Sequence, residues 1–254
     1  MAARRRLDAE LLRRSLVASR TEAQMLIADH RVRVNGAIAD KSARQVSPAD
    51  AIHVAGPPRR FVSRGGEKLD HALDEFALDV RGRRILDAGA STGGFTDCLL
   101  QRGAAEVVAL DVGHGQLHER VRADPRVVPL ERRNVRTVTV GDLGGPVDMI
   151  VGDLSFISLT RVVGALVRVC QPGGPMVLLV KPQFEAGKAE VDRGRGVIRD
   201  PAVHARVRDE VEHALTAAGC AVLGWTDSPI AGADGNREFL VHATAPPDDV
   251  AARR

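Results

Sequence analysis

The segment Arg84-Ile-Leu-Asp87-Ala-Gly89-Ala-Ser91-Thr-Gly93-Gly94-Phe95-Thr-Asp97 constrains this chain most. A short apolar run breaks into glycines and resumes with helical periodicity, so it reads as strand, tight turn and helix. Glycines there permit backbone angles and close approaches that a Cβ forbids, and a small ligand can then lie against the amides at the helix start. The spacing is D-x-G-x-x-x-G-G. Ser91 stands where the dinucleotide fingerprint G-x-G-x-x-G has the glycine that lets a pyrophosphate approach the backbone. An acidic side chain, Asp87, at the end of the strand suits a ligand carrying an ammonium group better than one carrying phosphates, which points to S-adenosylmethionine.

After residue 83, strands alternate with helices. The pattern predicts strands at 85–88, 107–112, 127–130, 147–153, 176–181, 221–225 and 239–242, with a long helix at about 202–218. Such alternation implies a Rossmann-like α/β fold, with a mainly parallel sheet covered on both faces. Ligands of these sheets sit beyond the carboxyl ends of the strands. Asp87, Asp111, Asp153 and Lys181 occupy four of those ends, and an aspartate among apolar residues is costly unless paired or solvated in a cleft. Asp111 follows the glycine turn at the distance, roughly 20 residues, where an acid typically accepts from ribose hydroxyls. Lysine is scarce: of 36 basic residues only Lys41, Lys68, Lys181 and Lys188 are lysines. Because a guanidinium stays charged and an amine can lose its proton, a lysine at a strand end marks a place where lysine chemistry is needed.

The first part of the chain differs in character. Residues 1–60 hold 12 Lys and Arg against 6 Asp and Glu, whereas the remainder holds 24 against 27. That imbalance suggests an anionic partner, with nucleic acid ahead of membrane. Leu7, Leu11, Leu12 and Leu16 predict a first amphipathic helix, and Ser19-Arg-Thr-Glu22 has the form of a capping box for a second ending near Asp29. Val32 to Ile38, with Asn35-Gly36 at its centre, predicts a hairpin. One more strand, 51–54, precedes a linker at Gly56-Pro57-Pro58. Three scattered cysteines suggest neither a zinc site nor a disulfide framework and fit a reducing cytoplasm. No apolar run approaches the roughly 18 residues of a membrane span, and the charged N-terminus lacks the apolar stretch of a secretory signal. His114 and His118 have the spacing of a metal pair but no third ligand.

The string S-R-T-E-A-Q-M-L-I followed by V-R-V-N-G resembles the RNA-binding module named after small-subunit ribosomal protein S4. With no tyrosine in the chain, and no Phe or Trp in its first 60 residues, base stacking is not this module's main grip, which leaves arginine contacts to phosphate and recognition of RNA shape. Over nearly its whole length the chain resembles the TlyA family of ribosomal RNA ribose methyltransferases, whose catalytic part is FtsJ-like. The resemblance rests on S-R-G-G-E-K-L around Lys68, L-D-A-G-A-S-T-G-G-F-T-D, D-L-S-F-I-S, V-K-P-Q-F-E and G-N-R-E-F around Glu238. It departs at Phe61, where the family often has Trp, and at a more charged loop, Glu190 to Arg195.

The resemblance implies a catalytic tetrad of Lys68, Asp153, Lys181 and Glu238, with Glu185 as the rival carboxylate. It also implies methyl transfer to the 2′-hydroxyl of cytidine in 16S or 23S ribosomal RNA on assembled subunits. Candidate S-adenosylmethionine contacts are Asp87, Gly89, Ser91, Gly93, Gly94, Phe95, Asp111, Asn134 and Asp153. Candidate RNA contacts are Arg4, Arg6, Arg13, Arg14, Arg20, Arg31, Arg33 and Arg64. The domain limits expected are 1–56 for RNA binding, 57–64 for a linker and 65–254 for the methyltransferase, in a cytoplasmic monomer using no metal. Lys181 could act as a neutral base or as a charged stabiliser of the alkoxide. The rival functions are an inactive RNA-binding assembly factor and a nicotinamide-dependent oxidoreductase, the latter lacking its glycine fingerprint here.

Overall fold

The computed structural model describes residues 4–17, 20–56, 60–232 and 234–248, and the chain divides into two compact units, residues 1–62 and 63–254. The first unit comprises β1 (Arg5–Arg6), α1 (Leu7–Arg13), α2 (Arg20–Ala28), β2 (Val32–Val34), β3 (Ala37–Ile38), β4 (Gln45–Val46) and β5 (Ile52–Val54). Leu7, Leu11, Leu26, Ile27, Val32 and Val34 form its core. The hairpin forms where Asn35-Gly36 predicts it: φ is 53° at Asn35 and 83° at Gly36, the left-handed pair that matches strand twist. α1 stops short of Leu16, because Ser15 takes a left-handed φ of 56° and Leu12 and Leu16 stay exposed. The cap expected at Ser19 lies outside the described residues. The pairing of β1 with β4 escapes sequence reading, since two-residue strands carry no periodicity.

The second unit runs α3 (Gly65–Glu75), β6 (Arg84–Ala88), α4 (Gly94–Gln101), β7 (Glu106–Asp111), α5 (Glu119–Arg122), β8 (Val127–Glu131), α6 (Val140–Leu143), β9 (Met149–Gly152), α7 (Val163–Val169), β10 (Pro175–Val180), α8 (Pro182–Glu185), α9 (Lys188–Arg193), α10 (Pro201–Ala217), β11 (Ala221–Asp227) and β12 (Phe239–Thr244). Its seven-stranded sheet has the order β11-β12-β10-β9-β6-β7-β8. β12 alone runs against its neighbours, β10 and β11. All four residues of β9 and Ile85 to Ala88 of β6 are buried, so the central strands are covered on both faces, which explains their unbroken apolar runs. Val163, Leu166 and Val169 of α7 and Val207, Val211 and Leu215 of α10 pack into the main core with Leu86, Ile150 and Leu178.

The chain goes from β6 outward to β7 and β8, then returns to β9 on the other side of β6. At this reversal the connections diverge and leave a crevice beyond the strand ends. The glycine turn faces it. Gly89 has φ 89°, and a Cβ there would stand 2.7 Å from the backbone oxygen of Asp153. Gly82 also has a positive φ, 71°, but nothing lies within 4 Å of its would-be Cβ. Gly89→Ala should therefore lower stability by about 2–4 kcal/mol, combining left-handed strain with overpacking, against about 1–2 kcal/mol for Gly82→Ala. Calorimetric unfolding of the two variants checks the difference, and equal losses would contradict the close approach.

Candidate active site

Two adjoining cavities open at the carboxyl end of the sheet. The larger, about 470 Å³, is lined by Gly89 and Ser91 after β6, Asp111 at the end of β7, Asn134 after β8, and Asp153 to Ile157 after β9. The smaller, about 140 Å³, is lined by Ser63, Gly65, Ser91, Gly94, Phe95, Asp153, Ser155 and Lys181. Gly89, Ser91, Asp153 and Ser155 wall both.

Asp111 props the turn. Its Oδ2 accepts from the Ser91 amide at 2.8 Å and its Oδ1 from the Gly113 amide at 2.7 Å, which holds Ser91 at a left-handed φ of 48°. The carboxylate still lines the cavity, with lone pairs left for a diol. Asn134 spends its Oδ1 capping the Arg136 amide, leaving its NH₂ free to donate. Gly93 lines neither cavity; its φ of 89° makes the entry to α4, and a Cβ would press on Val121 and Leu117. At Gly94 a Cβ would displace Ser63 Oγ, 2.0 Å away, and would press on the Gly66 amide nitrogen at 3.0 Å. The donor set fits S-adenosylmethionine: a cradle that a Cβ would fill, an acid at the ribose position and no glycine for a pyrophosphate.

Asp87 corrects one expectation. It is fully buried and lines neither cavity, standing beneath the turn. Thr96 Oγ1 donates to its Oδ2 at 2.6 Å, while Oδ1 has no partner among the described residues. Burial drives its pKa up to about 7; the negative charges of Asp153 and Asp111 add to this and the Thr96 hydrogen bond opposes it.

Four residues meet as two ion pairs. Lys68 Nζ donates to Glu238 Oε2 at 2.5 Å, with both side chains buried. Lys181 Nζ lies 2.5 Å from Asp153 Oδ1, a charge contact without hydrogen-bond alignment, and donates to Ser155 Oγ at 2.9 Å. The strand register brings them to one end of the sheet: Val180 pairs with Phe239, so Lys181 and Glu238 follow side by side. Leu178 pairs with Gly152, which puts Asp153 one strand further on. Glu185 is occupied elsewhere, accepting from Ser158 Oγ at 2.5 Å and the Leu159 amide at 2.9 Å.

Sequence reasoning missed Ser155, Asn236 and Phe156. Ser155 has a cue in standing two residues beyond a strand-end acid. Asn236, fully buried, accepts from the Ile198 amide and donates to the Gly196 carbonyl, both at 2.9 Å, which fixes the approach to Glu238. Phe156 is 90% exposed, has φ 63°, lines the larger cavity and lies 5.1 Å from the Phe184 ring. His114 contacts Glu131 and His118 caps α5, so the two histidines hold separate posts.

The expected RNA contacts divide. Arg6 and Arg20 pair with buried Asp8, holding its carboxyl well below the usual carboxylate range, and Arg13 pairs with buried Glu10; all three stay about half exposed. Arg14 is consumed by the fold, bonding Glu10 and the carbonyls of Ser47, Pro48 and Asp50. Arg31 donates to the Ala55 carbonyl, Arg33 to that of Gly36 and Arg64 to that of Ala231, and Arg4 is exposed.

Comparison with known proteins gives two family matches, an S4 domain at residues 5–52 and an FtsJ-like methyltransferase at residues 61–245. The chain is 50% identical to the 16S/23S rRNA (cytidine-2′-O)-methyltransferase TlyA of Mycobacterium tuberculosis, covering 95% of this chain and 90% of that one. It is 39% identical to Hemolysin A of Brachyspira hyodysenteriae, covering 93% and 98%. A solved Streptococcus thermophilus structure carrying a hemolysin label is 38% identical with a TM-score of 0.76, covering 98% of this chain and 92% of that one. Among the described residues no helix is long and apolar enough to cross a membrane.

Two outcomes follow from the buried charges. Lys68→Met should cost about 3–5 kcal/mol by stranding the Glu238 carboxylate, and adding Glu238→Leu should recover most of that loss while methyl transfer stays absent. Denaturant unfolding checks it; equal stability of single and double variants would contradict the buried pair. For Asp87, the folded pKa lies above the unfolded one, so its contribution is present below about pH 4 and lost as pH rises through about 7. Asp87→Asn should flatten the stability of the ligand-free protein across that window, and an unaltered pH profile would refute the assignment.

Proposed function

Because the chain belongs to the TlyA family of FtsJ-like methyltransferases, we propose that it methylates the ribose 2′-hydroxyl of cytidine in 16S or 23S ribosomal RNA. It works as a cytoplasmic monomer on assembled subunits. S-adenosylmethionine, when bound, supplies a methyl group already activated on a sulfonium. The larger cavity takes the adenosine, with Asp111 on the ribose hydroxyls and Asn134 on the adenine edge. The Gly89–Ser91 turn receives the methionine end, and Asp87 beneath it supplies the negative charge that an ammonium seeks.

The chain's own task is the hydroxyl, a weak nucleophile at neutral pH. Holding it in the smaller cavity, in line with the donor carbon, removes much of the barrier, since well-oriented reactants gain about 7–11 kcal/mol. Lys181 faces that cavity. As an ammonium, Lys181 stabilises the negative charge developing on the 2′-oxygen. Asp153 receives the departing proton. Lys68 and Glu238, neutralising each other behind this pair, keep the amine in place. Phe156, an exposed ring held in a strained backbone at the rim, offers the target base a stacking face.

The observation that carries this reading is the contact of Lys181 with Asp153 and Ser155 in a cavity sharing four walls with the larger one. An inactive RNA-binding factor would have no need to bury these charges. Lys181→Ala should lower transfer of tritiated methyl groups to ribosomal subunits by at least about 10³-fold, the cost of removing one preorganised stabiliser. Calorimetric affinity for S-adenosylmethionine should stay within a few-fold. Undiminished turnover would remove Lys181 from the mechanism.

A further inference from the structure

The segment from the end of α9 onward, residues 193–199, reads Arg-Gly-Arg-Gly-Val-Ile-Arg and contains three arginines and no carboxylate. Arg193, Arg195 and Arg199 are all exposed, and among the described residues none of their side chains makes a hydrogen bond or a close ion pair, Arg193 feeling Glu190 only as a nearby charge. This sets them apart from Arg6, Arg13 and Arg20, which are tied to buried Asp8 and Glu10. Of the flanking acids, Glu190 is held by Arg206 at 2.6 Å and Asp200 caps α10, leaving Asp192 as the exposed carboxylate nearby.

The loop is fixed as well as charged. Arg195 and Gly196 have positive φ values of 52° and 87°, and a Cβ on Gly194 would fall 2.1 Å from the Val197 carbonyl. Asn236 grips the Gly196 carbonyl and the Ile198 amide, and His204 Nε2 contacts the Ile198 carbonyl at 3.1 Å. Both attachments lead to the site. Upstream, the loop follows α8 and α9 from Lys181; downstream, its tether Asn236 stands two residues before Glu238. Arg195 takes the left-handed turn that closes α9, with the Gly196 amide reaching back to the Val191 carbonyl, and the fully buried Asn236 then staples the loop that follows.

We infer that the loop Arg193–Arg199 is an RNA-binding element of the catalytic unit, three unpartnered guanidiniums held rigidly beside the site to take phosphates of the RNA around the target ribose. The inference rests on the methyltransferase reading of the same unit. Guanidiniums present planar forks suited to phosphate, and such contacts position the nucleic acid without reading its sequence. Because Asn236 holds both this loop and the approach to Glu238, docking of RNA and alignment of the site share one support.

The test compares wild type with a triple variant, Arg193→Gln, Arg195→Gln and Arg199→Gln, and with the matching triple lysine variant, using unmodified large and small ribosomal subunits as substrates. For the glutamine variant, KM for the subunit should rise by at least about tenfold with kcat within twofold. The slope of log affinity against log salt should become shallower by about 2, at about 0.7–0.9 for each phosphate no longer neutralised. Affinity for S-adenosylmethionine should be unchanged, which reports that the unit is folded, and the lysine variant should recover most of the KM. An unchanged KM and salt slope would overturn the inference while the methyltransferase reading stands. A raised KM with an unchanged salt slope and no recovery by lysine would also overturn it, since loop shape and not charge would then be at work. Failure of wild type to methylate either subunit would instead fail the reading on which it rests.

Discussion

The antiparallel ladder between β10 and β12 is the constraint on which the site depends. Parallel strands alone would send the chain away from the crevice before returning, and a residue preceding such a strand would lie at the opposite end of the sheet. Reversing β12 brings its leading residue, Glu238, beside Lys181, which trails β10. Lys68 then reaches Glu238 from α3, and Asp153 flanks Lys181 from β9. Burying Lys68 and Glu238 costs several kcal/mol per ion before pairing repays it, and well-packed apolar residues would serve stability as well or better. The proposed chemistry gives such a pair a purpose, since it calls for a fixed amine in a preorganised setting.

Much of this was legible in the sequence, for reasons that can be traced to particular residues. Asp87, Asp111, Asp153 and Lys181 interrupt apolar runs, and a charge at the end of a buried strand is a signal that periodicity cannot explain away. The turn around Gly89 was legible because its glycines have no helical or strand purpose. Glu238 was not: it lies in a loop before an antiparallel strand, and only the resemblance singled it out. Asn236 belongs to the same G-N-R-E-F string, yet its role as a staple depends on Ile198 and Gly196, 38 and 40 residues upstream. The retreat of Asp87 beneath the turn was equally hidden, because strand-end position says nothing about which way a side chain points once a helix closes over it.

Charge counting shows a similar limit. The excess of arginine in the first 60 residues suggests a uniformly basic surface, but Asp8 and Glu10 are buried beneath part of it and take hydrogen bonds from Arg6, Arg13, Arg14 and Arg20. Those carboxylates orient the guanidiniums, and in the case of Arg14 they help to absorb one entirely. In the catalytic unit, where the net charge is slightly negative, the arginines of the loop after α9 are left unpaired. Composition thus counts guanidiniums without saying which of them are tied to a buried carboxylate, and that is what decides how they can meet an anion.

The walls common to the two cavities bear on how this protein could be blocked. Gly89, Ser91, Asp153 and Ser155 belong to both spaces, so the proposed donor and acceptor chambers are compartments of one vestibule. A compound tethering an adenosine to a nucleoside through a short bridge could keep the contacts of each half at once. Such a compound would carry no phosphates across the turn, and so would lack the group that the glycine fingerprint of nicotinamide enzymes is built to hold.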